Sequence, residues 1–212
     1  MKKIFILSLL LFSLILSVSA QSLTNIFLNI PDDIAFGLAA EDKDQLIAAT
    51  MDTSDVVIEN VFEGETKRLA LSDDYIALQT SEAGTVQIKL LPLINDSKII
   101  CVIKTVCGKA CDSQMSFYTT NWTPVPQSEL MPMKDISWFL KSDSDKNSDD
   151  YKYAILAATS MFPVKLNLAP DSLTLTAVYE PEKYLSEEDS KKLKPFLTDQ
   201  PKNFNWNKTA FR

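Results

Sequence analysis

The chain of 212 residues contains no histidine. That single absence removes Ser-His and Cys-His nucleophilic catalysis, histidine general bases and most zinc sites. Glycine is scarce, with four residues. Rossmann and Walker phosphate loops need clustered glycines, so neither cofactor class is expected. Cysteine is held to three residues, and after the N-terminus no second long apolar run occurs. Nothing beyond that start is therefore expected to span a bilayer.

The first twenty residues read as a secretory signal peptide. Lys2 and Lys3 give a basic start, residues 4–18 are apolar apart from serines, and Val18-Ser19-Ala20 offers small residues before Gln21. No cysteine follows the cleavage point, so lipid attachment is not expected there. Cleavage at 20 leaves 192 residues. Removing Lys2 and Lys3 leaves 19 basic side chains against 28 acidic, a net charge of −9. An acidic surface disfavours nucleic acid, whose phosphates are bound by displacing counterions with Lys and Arg. The expected location is the periplasm or the exterior.

The remaining pattern predicts an α+β fold: antiparallel sheet with helix pairs packed on one face. Pro31, followed by Asp32 and Asp33, reads as a helix start, and a second helix is expected from near Glu41 to about Met51. Strands are expected over 55–63, 67–71, 75–80 and 85–91. In the last, Val86, Ile88 and Leu90 point inward and Thr85, Gln87 and Lys89 outward. Residues 98–122 predict a central hairpin. A loop of Gly108, Lys109 and Ala110 sets Cys107 opposite Cys111, Thr105 opposite Ser113, Ile103 opposite Met115 and Cys101 opposite Phe117. That face is the better core face, and the other carries Lys104, Gln114 and Ser116 with Val102 and Tyr118.

In an oxidising compartment, Cys107 and Cys111 across so tight a turn predict a disulfide. Cys101 is six residues away on one strand, about 20 Å if extended, and a bridge needs Cα atoms within about 7 Å. It is expected to be a buried free thiol.

Three prolines, Pro124, Pro126 and Pro132, mark an extended connector. It divides the chain into an N-terminal half, 21–125, and a C-terminal half, 126–212. The halves echo each other: DIAFGL at 33–38 against DISWFL at 135–140, and LIAAT at 46–50 against ILAAT at 155–159. A tandem repeat of helix-loop-helix plus sheet is one reading of this, and chance likeness is the other. In the second half, strands are expected over 163–168 and 173–179. A helix is capped by Ser186 with Glu187, Glu188 and Asp189 behind it, and one last strand or hairpin covers 204–212.

The run IICVIKTVCGKACDSQMSFYTTNW (99–122), with NIPDDI (29–34) ahead and LSEEDSKKLKPFL (185–197) behind, resembles an exported Bacteroidales family of unknown function, domain-of-unknown-function family 3256. The resemblance covers nearly the whole mature chain and implies an envelope-located protein. It implies no activity and no site residues. At the level of layout, two helix-pair-plus-sheet halves are similar to the tandem repeat of β-lactamase inhibitory proteins, a likeness of fold only.

Candidate sites stay few. Asp143, Asp145, Asn147 and Asp149 place an oxygen ligand at every second residue, as calcium loops do. The sixth and twelfth positions of an EF-hand would be Ser148 and Ala154 here, so this is not one. The readings left open are a weak calcium loop and a solvated polar loop before a helix capped by Asp149 or Asp150. No other cofactor or metal is expected. Trp122, Trp138 and Trp206 could present rings to a sugar or peptide, or pack in a core. Asp73-Asp74 and Glu187-Glu188 are the adjacent carboxylates a glycosidase could use, although neighbours on a chain rarely face each other. With no histidine, no nucleophile motif and no cofactor signature, the expectation is a non-catalytic binding module of the cell envelope, partnered by an envelope protein or glycan. The alternative is a hydrolase working on glycan or envelope polymer through Asp and Glu.

Overall fold

The structure, a computed structural model, describes residues 22–35, 37–48 and 56–212. Residues 1–21, which include the expected signal peptide, lie outside the described residues, as do Phe36 and 49–55, and with them parts of both N-terminal repeat segments.

Seven strands form one antiparallel meander in chain order: β1 (Val57–Glu59), β2 (Glu65–Leu71), β3 (Tyr75–Gln79), β4 (Gly84–Pro92), β5 (Lys98–Cys107), β6 (Cys111–Thr119) and β7 (Pro124–Val125). Short polar turns make this order easy, because antiparallel neighbours need only a few connecting residues. The β5–β6 register is the expected one: Cys107 opposite Cys111, Thr105 opposite Ser113, Ile103 opposite Met115 and Cys101 opposite Phe117.

Helices α1 (Leu23–Leu28) and α2 (Ala40–Ile47) cover one face. The expected start at Pro31 is displaced upstream. Ser22 caps α1 by accepting the Asn25 N–H at 3.4 Å, and Leu23, Ile26 and Phe27 form a buried stripe at helical spacing. Residues 31–34 form a turn instead. Helix α2 ends at Ile47, short of Met51, and its last carbonyls are held by Arg68, whose Nη1 donates to Leu46 O at 2.9 Å and Ala48 O at 3.0 Å. The first strand shrinks to three residues because Asn60 Oδ1 takes the Phe62 and Gly64 N–H groups, closing a turn with Glu63 at φ +60°.

The second sheet has order β10-β9-β8, from β8 (Lys165–Leu168), β9 (Thr174–Val178) and β10 (Lys202–Asn205). It packs on the other face of the large sheet. The expectation of one core face per strand is therefore corrected. Val86, Ile88, Leu90, Ile100 and Val102 meet the helices, while Leu91, Cys101, Ile103, Met115 and Phe117 meet Val164, Leu166, Leu175, Trp206 and Phe211. Gln87 and Lys89, expected outside, also turn inward. Lys89 is 1% exposed and reaches Pro170 O at 2.9 Å and Asp74 at 3.3 Å.

Strand β8 is an edge strand whose outer N–H groups would be bare. Polar side chains of the large sheet take them, with the Val164 N–H just before the strand: Asp112 Oδ1 from Val164 at 3.0 Å, Ser113 Oγ from Leu166 at 2.9 Å, Gln87 Oε1 from Leu168 at 2.7 Å. Buried backbone donors need such partners, and these three lock the sheets in one register.

Helices α3 (Asp149–Ser160) and α4 (Glu187–Leu193) pack together through Ala154, Ala158 and Leu193, with Ile136. Ser148, not Asp149 or Asp150, caps α3 by accepting the Tyr151 N–H at 3.2 Å. Ser186 caps α4 as expected. The fold is α+β with two antiparallel sheets. The segments matched as repeats carry seven strands in one half and three in the other, and DISWFL here is a 3-10 turn spanning Ile136–Phe139.

Candidate functional site

Successive residues of an antiparallel strand turn their N–H and C=O groups to opposite neighbours. On β6 the odd-numbered residues face away from β5. Ser113 donates to Val164 O at 3.0 Å, Phe117 pairs with Val125, and Thr119 donates to Thr123 O at 2.8 Å. Met115 lies between them. Among the described residues, no group takes its outward N–H or C=O. Continuing the β6–β7 register would bring Gln127 opposite Met115. Strand β7 stops first, because Pro126 and a 3-10 turn over Gln127–Glu129 carry the chain away.

A groove of about 640 Å³ opens at this missing rung. Its walls are Met131, Met133 and Trp138 from the connector and Ser113, Met115 and Leu166 from the sheets. Met133 is 82% exposed and Met131 buried, so the wall runs from core to solvent. Trp138 is half-buried, edge-on to Phe204 at 4.7 Å. Asp112 and Lys134 are the charged groups of the lining, and they bond each other at 2.7 Å. Burial draws the Asp112 carboxyl up, but the Lys134 hydrogen bond and the Val164 N–H outweigh it and hold the group below the usual carboxylate range.

A second groove, about 820 Å³, lies between Tyr179, Leu185, Glu187, Lys191 and Leu197. It is larger but more heavily charged, and its Glu187 and Lys191 already pair at 2.6 Å.

Apart from Trp138, the residues singled out from the sequence fall elsewhere. The Cys107 and Cys111 sulfurs lie 2.08 Å apart at the hairpin tip, with Cα atoms 4.0 Å apart. Cys101 is buried, and desolvation pushes its thiol far up. Asp143, Asp145, Asn147 and Asp149 are exposed. Asp145 Oδ1 accepts the Asn147 N–H at 3.0 Å and Asp145 O accepts the Ser148 hydroxyl at 2.9 Å, so part of this loop's oxygen set is turned to its own backbone. Among the described residues no three Cys, Asp or Glu side chains cluster to hold a metal ion.

The adjacent carboxylates diverge. Asp74 turns to Lys89, while Glu187 and Glu188 pair separately with Lys191 and Lys192. Trp122 and Trp206 are buried staples, donating to Ile26 O at 2.9 Å and Pro92 O at 2.7 Å. Trp138 lines the groove. Gln127, Ser128, Met131 and Met133, read from sequence as connector, are the lining residues that reading missed. The signal was the apolar Met131-Pro132-Met133 in a segment read as an extended connector.

The described residues contain no helix long and apolar enough to cross a membrane. A search of curated proteins finds no match. The fold is similar to the solved structure of a domain of an uncharacterized protein from Porphyromonas gingivalis W83. The TM-score is 0.80 at 26% identity, covering 90% of this chain and 98% of that one. A family model described as Protein of unknown function (DUF3256) matches residues 15–211, and the chain belongs to that family.

Proposed function

We propose that this protein is an exported, non-catalytic binding module of the cell envelope and that the groove at the β6 edge is its binding surface. The observation that carries this is the groove itself: apolar walls reaching from core to solvent beside backbone groups left without partners. Ligand-binding sites are built this way, apolar with a few placed polar groups. The charge pattern supports the same reading over a glycan hydrolase. A glycosidase needs two carboxylates about 5 to 9 Å apart, one of them held protonated. Among the described residues, the carboxyls that shift go down: Asp112 as above, Asp135 through hydrogen bonds from Ser137, and Asp189 through those from Ser186 and Tyr153. Each is held ionised, which suits a structural acceptor and not a general acid.

The reading is tested by retaining partners from the organism's own envelope fraction on the tagged mature chain. The Met133→Lys variant serves as control, since so exposed a position tolerates the change without unfolding. Expected is a partner retained by the native chain and lost with the variant. Equal retention by both would move the surface elsewhere. Turnover of an envelope glycan by the purified chain would replace the reading with the hydrolase.

A further inference from the structure

We infer that the groove takes a short, uncharged, extended peptide segment of a partner protein, which supplies the missing rung on β6 at Met115. The inference rests on the binding reading above and names its ligand class.

Three observations lead to it. First, Met115 offers one N–H and one C=O on the same edge of a strand, between rungs already filled by Val164 and Val125. The group that satisfies such a pair at once is a peptide unit in extended conformation, as in other strand-addition complexes. The occupied rungs are about 14 Å apart along β6, room for about three residues. Second, the lining charges are already matched. Asp112 and Lys134 are paired at 2.7 Å, so a charged ligand group finds no free counterpart, and a neutral backbone meets no penalty. Third, the wall beside the rung is Met131, Met133 and Trp138. Methionine side chains adapt to apolar residues of varied shape, and Gln114, Gln127 and Ser128 supply the polar part of the lining. Peptide is favoured over glycan by the unfilled backbone rung, which an extended peptide unit completes with both of its groups.

The geometry follows from strand alternation. The central residue of the segment pairs with Met115. Its own side chain falls on the Met115 face, and both flanking side chains fall on the opposite face with Gln114 and Ser116. Specificity then resides in the central side chain, and the backbone bonds give the register.

The test uses the full mature chain, isotope-labelled, with two probes: acetyl-Val-Leu-Val-amide for peptide and N-acetylglucosamine for glycan. Amide exchange is read residue by residue. On peptide saturation the Met115 amide is expected to slow by about tenfold or more, with Ile103 unchanged as the internal reference. Met133→Lys should weaken peptide binding about tenfold, and the sugar should leave Met115 untouched. Peptide binding that leaves Met115 exchange unaltered overturns the inference while the binding reading stands. Protection of Met115 by the sugar overturns it in favour of glycan. No peptide binding together with an envelope partner still lost in Met133→Lys also overturns it. If the envelope fraction yields no partner either, the functional reading fails as well.

Discussion

Ser113 Oγ lies 2.8 Å from Thr105 Oγ1 and takes the Leu166 N–H at 2.9 Å, all out of water. Its own N–H goes to Val164 O. Replacing it with alanine strands a buried hydroxyl and a buried amide. Ser113→Ala should cost about 1–3 kcal/mol in urea unfolding. Adding Thr105→Val removes one stranded group, so the double variant should fall less than the two single losses together. The thiol of Cys101 tests burial in another way. Desolvation holds it protonated well above its usual range. The native chain should not react with a thiol reagent at pH 8, and guanidinium should expose one reactive thiol per chain. Asp112 sets an acid limit. Its folded pKa is depressed, so its stabilisation is present above the unfolded carboxylate value near 4 and is lost as pH falls through the folded value. With a side chain 59% exposed, the effect is small. Asp112→Asn should flatten the stability curve below about pH 4 and leave the neutral plateau nearly level.

At the scale of elements, the β5–β6 hairpin is the reference for both layers. Its even and odd faces build different cores, and its outer edge lines the groove. Its tip closes a very short loop through Cys107 and Cys111. The chain-entropy model gives such a link about 2 kcal/mol. Cys107→Ala with Cys111→Ala should lower stability by that amount without changing the fold, and the oxidised chain should weigh two hydrogens less than the reduced one. After the hairpin, Trp122 sits at φ +61° and its indole donates to Ile26 O, 96 residues earlier. That bond ties α1 to the sheet. Trp122→Phe should cost about 1–3 kcal/mol, measured by denaturation, because the Ile26 carbonyl loses the indole donor in a buried site.

The whole molecule has a core that neither half owns. Residue 125 ends the large sheet, yet Met115 and Phe117 pack with Leu166, Trp206 and Phe211. The Val164, Leu166 and Leu168 amides are satisfied by Asp112, Ser113 and Gln87 of the other sheet. Fluorescence from the tryptophans and circular dichroism should therefore trace a single urea transition. A chain of 126–212 alone should remain unfolded, since its edge amides and apolar face would both be open.

Much of this was legible in the chain. Period-2 alternation, the turn residues and the spacing of Cys107 and Cys111 determined the β5–β6 register, because a hairpin is a local object and a one-residue slip would reverse its faces. Ser186, with three acids behind it, determined the start of α4 for the same local reason. What only tertiary structure decided is what covers each face and where an edge is left open. Gln87 and Lys89 read as solvent-facing because alternation cannot tell water from a second sheet. Pro31 lost to Ser22 because burial of Leu23, Ile26 and Phe27 against the sheet outweighs a local cap preference. The missing rung at Met115 depends on the chain leaving at Pro126 and on Val164 arriving from 50 residues away. Contacts between such distant segments are fixed by the packing of the two sheets, which leaves no period in the sequence.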